Sequence, residues 1–107
     1  MPATDGGTLN DVHDALSTAL RRHAVQYLVN ADDDVASIED LADYLGNQED
    51  IPKARERNYL RLHHMALPTL AAKGFIDYDE RNGVIRYREH PVLEQVLQRT
   101  VESTSAA

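Results

Sequence analysis

Cysteine and tryptophan are absent from these 107 residues, and phenylalanine occurs once. Without cysteine there is no disulfide scaffold, no thiolate nucleophile and no cysteine-held metal. No apolar run approaches the ~18 residues that a membrane-spanning helix needs. The opening "MPATDGGTLN" has no apolar stretch of the kind a signal peptide carries. The expectation is a cytoplasmic protein with no membrane part. Gly-rich phosphate loops, nucleophile elbows and HExxH helices are also missing, so nothing points to an enzyme or a cofactor. Asp32-Asp33-Asp34 is the one carboxylate run that suggests a cation, and it reads as a solvated loop.

What is present is acid. Asp and Glu number 18 against 11 Lys and Arg, for a net charge of −7. Lysine is scarce, with Lys53 and Lys73 as its two occurrences. An Asp-rich, Lys-poor surface holds hydration and cations and stays soluble where salt screens repulsion. Such a composition resembles proteins of salt-accumulating organisms such as haloarchaea; an ordinary acidic domain is the alternative.

The length suits one domain, expected over residues 8–101 between flexible tails at 1–7 and 102–107. Thr8 and Asp11 fit a capping box. Leu9, Val12, Leu16, Leu20, Ala24, Tyr27 and Leu28 then recur at helical spacing and predict one helix of about twenty residues. Ser37 and Asp40 form a second capping box before Ile38, Leu41, Ala42 and Leu45, with Gly46 as a left-handed stop. A third helix is predicted over about 53–73, with Leu60, His63, Leu67 and Leu70 facing inward. Pro68 lies inside it and predicts a kink or two abutting helices. "FIDYDERNGVIRYRE" changes to a strand period around Asn82-Gly83, a signal for a two-residue hairpin turn. Pro91 opens a last helix, and "VAS" before the second helix offers a short third strand.

Helix, helix, helix, hairpin, helix is an α+β, mostly α order, the winged helix-turn-helix arrangement. "LPTLAAKGFIDYDERNGVIRY" resembles the end of a recognition helix and the wing of ArsR- or PadR-like regulators. "LHHMALPTLAAKGFIDYD" in an acidic chain resembles small haloarchaeal winged-helix domains. The resemblance implies double-stranded DNA as partner, with the helix at about 53–73 in the major groove and the hairpin at 75–88 beside it. It carries over no metal site, because the cysteine cluster of metal sensors is missing.

The charges have their own geography. From Lys53 to Arg88 the chain carries +4, and the remainder carries −11. Lys53, Arg57, Arg61 and His64 recur at helical spacing and share one stripe. Arginine pairs with phosphate and reads guanine, and Asn58 is placed to read adenine. Arg55 lies nearby, and Arg81, Asn82, Arg86 and Arg88 belong to the hairpin. A cationic face paired with neighbouring acids would instead suit a protein-interaction adaptor. Val92, Leu93, Val96, Leu97 and Val101 form a stripe on the last helix that predicts a homodimer interface; closure of the monomer's own core is the alternative. His63 and His64 are adjacent and project about 100° apart on a helix, and His13 and His23 are scattered, so no metal site is expected.

Overall fold

The structure, a computed structural model, describes residues 9–105, with side chains described through Thr100. The elements run α1 (Leu9–Ala15), α2 (Ala19–Val29), a 3₁₀ turn (Asp32–Asp34), β1 (Val35–Ser37) and α3 (Ile38–Gly46). Then come α4 (Arg55–Arg61), a π turn (Leu62–Ala66), α5 (Leu67–Ala72), β2 (Ile76–Asp79), β3 (Val84–Tyr87) and α6 (Pro91–Ser105). The fold is α+β and mostly helical, with one antiparallel sheet ordered β1-β3-β2. The tail 1–7 and Thr8 lie outside the described residues.

The single long first helix is corrected to two. Ser17 and Thr18 divide it, because short hydroxyl side chains offer backbone groups an alternative to the helical ladder. Thr18 is extended at φ −119°, and its hydroxyl accepts from the Arg21 N–H at 3.2 Å, capping α2. The open carbonyls of α1 then need donors. Arg21 gives Nε to Ala15 O at 3.1 Å and Nη2 to Asp14 O at 3.0 Å, while Arg22 gives Nη1 to Leu16 O at 3.2 Å. Two arginines that look like surface charge thus close a helix end.

Ser37 caps α3 as expected, accepting from the Asp40 N–H at 3.0 Å. Ile38, Leu41, Ala42 and Leu45 are all buried. Gly46 is not a left-handed stop; it is the last residue of α3, and Asn47 ends the helix at φ −95°. The left-handed stop occurs at Gly74, φ 83°. There Phe75 N–H reaches Leu70 O at 3.1 Å and Gly74 N–H reaches Ala71 O at 3.0 Å, the double closure that a left-handed residue allows.

Between α4 and α5 the register slips by one residue. Pro68 has no N–H and its ring crowds the carbonyl one turn back. Upstream the chain widens into the π turn, where Leu67 N–H bonds Leu62 O. The widened turn accommodates the proline without a separate helix pair. It also re-faces the residues before it: Leu60, expected inside, is 49% exposed, and Leu62 is fully buried.

"VAS" does form the third strand, with Val35 opposite Arg86 and Ser37 opposite Val84. The β2–β3 turn is longer than expected. Asp79 pairs with Val84, leaving four residues between the strands. A two-residue turn of this type needs positive φ at both positions. Here only Gly83 has it, at 66°, while Asn82 turns back on Asp79 through its N–H (3.2 Å) and its amide (2.8 Å).

Phe75, Leu28, Leu41, Leu62, Leu70 and Ile85 centre the core. α6 begins at Pro91 as expected and continues to Ser105, past the expected boundary at 101. Leu93 is fully buried and Leu97 is 6% exposed, so both close the monomer's own core. Their assignment to a dimer interface is corrected. Val92 is 41% exposed and Val96 half-buried; the Val101 side chain lies outside the described residues.

Candidate nucleic-acid interface

The cations gathered between residues 53 and 88 divide into those with partners and those without. Arg55 is held by α3, with Nε 2.5 Å from Asp43 and Nη2 2.8 Å from Glu39. These carboxylates, Asp43 first, hold its guanidinium above its already high range. Arg88 donates to Asp77 at 3.4 Å. Lys73, outside that stripe, bridges to Asp14 (2.8 Å) and Asp11 (3.5 Å) on α1. Lys53 precedes α4 and donates to the Gly46 carbonyl at 3.2 Å.

Arg57, Arg61, Arg81 and Arg86 have no ion-pair partner among the described residues. All four are exposed. Arg57, Arg61 and His64, separated by four and three residues, project from the outer face of the α4–π run. Leu60 and Met65 stand beside them, 49% and 65% exposed. On the hairpin, Arg81 is in the turn and Arg86 is on the outward face of β3, flanked by Val35 and Asp77.

Asn58 is the clear correction among the expected contact residues. It is fully buried, and its amide donates to the Pro52 carbonyl at 2.8 Å. It therefore pins the connection before α4 and presents nothing to a groove. Asn82 is likewise occupied, by Asp79. Residues 47–52, the polar connection between α3 and α4, are anchored more firmly than their composition suggests. Ile51 is buried in the core, and Asp50 meets His23 of α2 at 2.6 Å.

One pair that periodicity missed joins the helix to the hairpin. His63 Nδ1 and the Tyr78 hydroxyl are hydrogen-bonded at 2.7 Å, in edge-on contact with ring centres 5.9 Å apart. Tyr59 also stacks on His63, ring centres 6.4 Å apart. Burial first, then Tyr59 and Glu80, pushes the Tyr78 phenol up, so it stays a neutral hydroxyl. The signal lay in strand alternation: Tyr78 shares the inward face of β2 with Ile76.

Among the described residues no three His, Asp or Glu groups are placed to hold a metal ion. No helix there is long and apolar enough to cross a membrane. A family model described as "Domain of unknown function (DUF7344)" matches residues 13–86. That span covers more than half of the chain, which therefore belongs to this family. No curated protein and no solved structure matches.

Proposed function

We propose that this member of the DUF7344 family is a winged-helix DNA-binding regulator, acting in the cytoplasm as a homodimer, with α4–α5 as recognition helix and the β2–β3 hairpin as wing. The observation that carries the reading is the set of exposed, unpaired arginines. In a chain of net charge −7, Arg57 and Arg61 keep their guanidiniums free on one helix face while Arg55, Arg88 and Lys73 are neutralised nearby. Free guanidiniums bind phosphate and read guanine edges. Arg81 and Arg86 supply the same chemistry on the hairpin, and the His63–Tyr78 pair keeps helix and hairpin in a fixed relation. The test is fluorescence anisotropy on pooled duplex fragments at several salt concentrations, with wild type against the Arg57→Ala/Arg61→Ala double variant. Unchanged affinity in the double variant overturns the reading.

A second reading is an adaptor that binds protein. Its support is Leu60 and Met65, exposed apolar side chains on the same face as the free arginines. Thymine methyl groups would also accept such side chains. Loss of DNA affinity in a Leu60→Ser/Met65→Ser variant favours the regulator. Absence of DNA binding in the wild type favours the adaptor.

A further inference from the structure

Asn82-Gly83 has the sequence of a two-residue turn and does not make one. It closes the longer connection between β2 and β3, with Asn82 exposed. An asparagine before a glycine has a chemistry of its own. Glycine carries no side chain, so its backbone nitrogen can reach the carbonyl carbon of the asparagine side chain. Asparagine counts among the thermolabile residues. The other asparagines of the chain precede Asp11, Ala31, Gln48 and Tyr59, whose side chains crowd that approach.

The reaction needs only water. Gly83 N gives its proton to hydroxide and attacks Asn82 Cγ. The N–Cγ bond forms, the Cγ–Nδ2 bond breaks, and the amide nitrogen takes a proton from water and leaves as ammonia. Water then opens the cyclic imide at one of its two carbonyls. One opening gives aspartate, the other isoaspartate, whose backbone runs through Cβ.

The folded hairpin ties both reacting groups to one residue. Gly83 N–H, the nucleophile's hydrogen, donates to the Asp79 carbonyl at 2.8 Å. The Asn82 amide donates to Asp79 Oδ2 at 2.8 Å, and the Asn82 N–H to Oδ1 at 3.2 Å. That amide first, then the N–H, hold the Asp79 carboxyl below its usual range. The attack therefore waits for the turn to open. Afterwards the turn cannot close as before. The amide donor has become a carboxylate facing that of Asp79, and like charges repel. Isoaspartate also lengthens the backbone beside Gly83, whose carbonyl accepts from the Ile38 N–H at 2.9 Å and ties the hairpin to α3.

We infer that Asn82-Gly83 is a self-modification site, a one-way hydrolytic switch in the hairpin that Asp79 guards while the turn is closed. It does not depend on DNA binding.

Ageing the full chain at mildly alkaline pH tests it, once folded and once in guanidinium chloride, with peptide mass mapping to locate the exchange of amide for acid. Conversion is expected first at Asn82, and at least about tenfold slower in the folded chain, where the open turn is the minor state. Folded Asp79→Ala should convert about tenfold faster than folded wild type, the weight of a hydrogen bond to a charged group. The aged chain should unfold at a lower urea concentration than the fresh one. If Asp79→Ala fails to fold, the comparison of folded with unfolded wild type decides without it. The inference is overturned by equal rates in the folded and unfolded chain, by a folded Asp79→Ala that converts no faster than wild type, by earlier exchange at another asparagine, or by an aged chain that keeps the fresh midpoint.

Discussion

Gly83 and Ile38 meet where the hairpin turn reaches the first turn of α3. The Gly83 carbonyl accepts from the Ile38 N–H at 2.9 Å, and a Cβ on Gly83 would stand 3.1 Å from Ile38 Cγ2. At φ +66°, Gly83 is also in the region that a side chain disfavours. Gly83→Ala should therefore cost about 1–2 kcal/mol, chiefly through the backbone. Urea unfolding measures it. Gly83→Asn should cost less, because Asn tolerates this conformation better; an equal loss would assign the effect to contact with Ile38.

Position 58 separates fold from interface. Asn58 is fully buried, while Arg57 beside it is exposed. Asn58→Asp removes the donor to Pro52 O and buries a carboxylate, at an expected cost of about 3 kcal/mol or more. Arg57→Ala and Arg61→Ala should leave the unfolding midpoint unchanged. On the proposed function each weakens DNA binding, by about 1–3 kcal/mol where the contact is to a base. Paired denaturation and anisotropy measurements distinguish the outcomes.

The last helix gives the corresponding test for self-association. Leu93 is fully buried and Val92 is 41% exposed. Leu93→Ala should destabilise the monomer by about 2–5 kcal/mol. Val92→Glu should keep the fold, and if the proposed dimer uses this face it should convert dimer to monomer in sedimentation. A wild-type chain that sediments at 12.0 kDa removes the dimer.

The bridge from α5 to α1 makes stability depend on pH. The Lys73 ammonium, by hydrogen bond and then charge, holds the Asp14 carboxyl below its usual range. A depressed carboxylate contributes stability above its unfolded value and loses it as pH falls through the folded one. The decline should therefore lie below about pH 4. Lys73 is raised, chiefly by its hydrogen bond to Asp14, so its contribution is full below about pH 10.4 and lost as pH rises beyond the folded value. Asp14→Asn should make the acid decline shallower, as read from urea midpoints across the range. An unchanged slope would mean that the bridge does not form.

The strands and α3 were legible because their periods are local. Ile38, Leu41, Ala42 and Leu45 recur at helical spacing and are all inside, and the "VAS" strand follows from its place before a capped helix. The α1–α2 break was not legible, since Ser17-Thr18 interrupts an apolar period that continues on both sides in register. The π turn shifted Leu60 outward and Leu62 inward. Pro68 announced trouble there, but a missing donor does not say whether a helix will kink or widen. The partners of the cations were hidden for a different reason. Lys73 and Asp11 are 62 residues apart, and Arg55 and Glu39 are 16 apart. Helical spacing put them on a face without saying what stood opposite.

Salt offers the last test, because the free arginines have acids for neighbours. Glu56 adjoins Arg57 and Glu80 adjoins Arg81, all of them exposed. Ordinary DNA binding weakens as salt rises, since bound cations are released from the phosphates and their release gains less entropy. On the proposed function, carboxylates brought close to phosphate take up cations between the two anions, and uptake offsets release. The expected slope of log affinity against log salt is flat or positive. Glu56→Gln/Glu80→Gln should restore an ordinary negative slope while raising affinity at low salt. A steep negative slope in the wild type would mean that these carboxylates stay clear of the DNA, and with it the reading of the acidic surface as an adaptation to concentrated salt would lose its support.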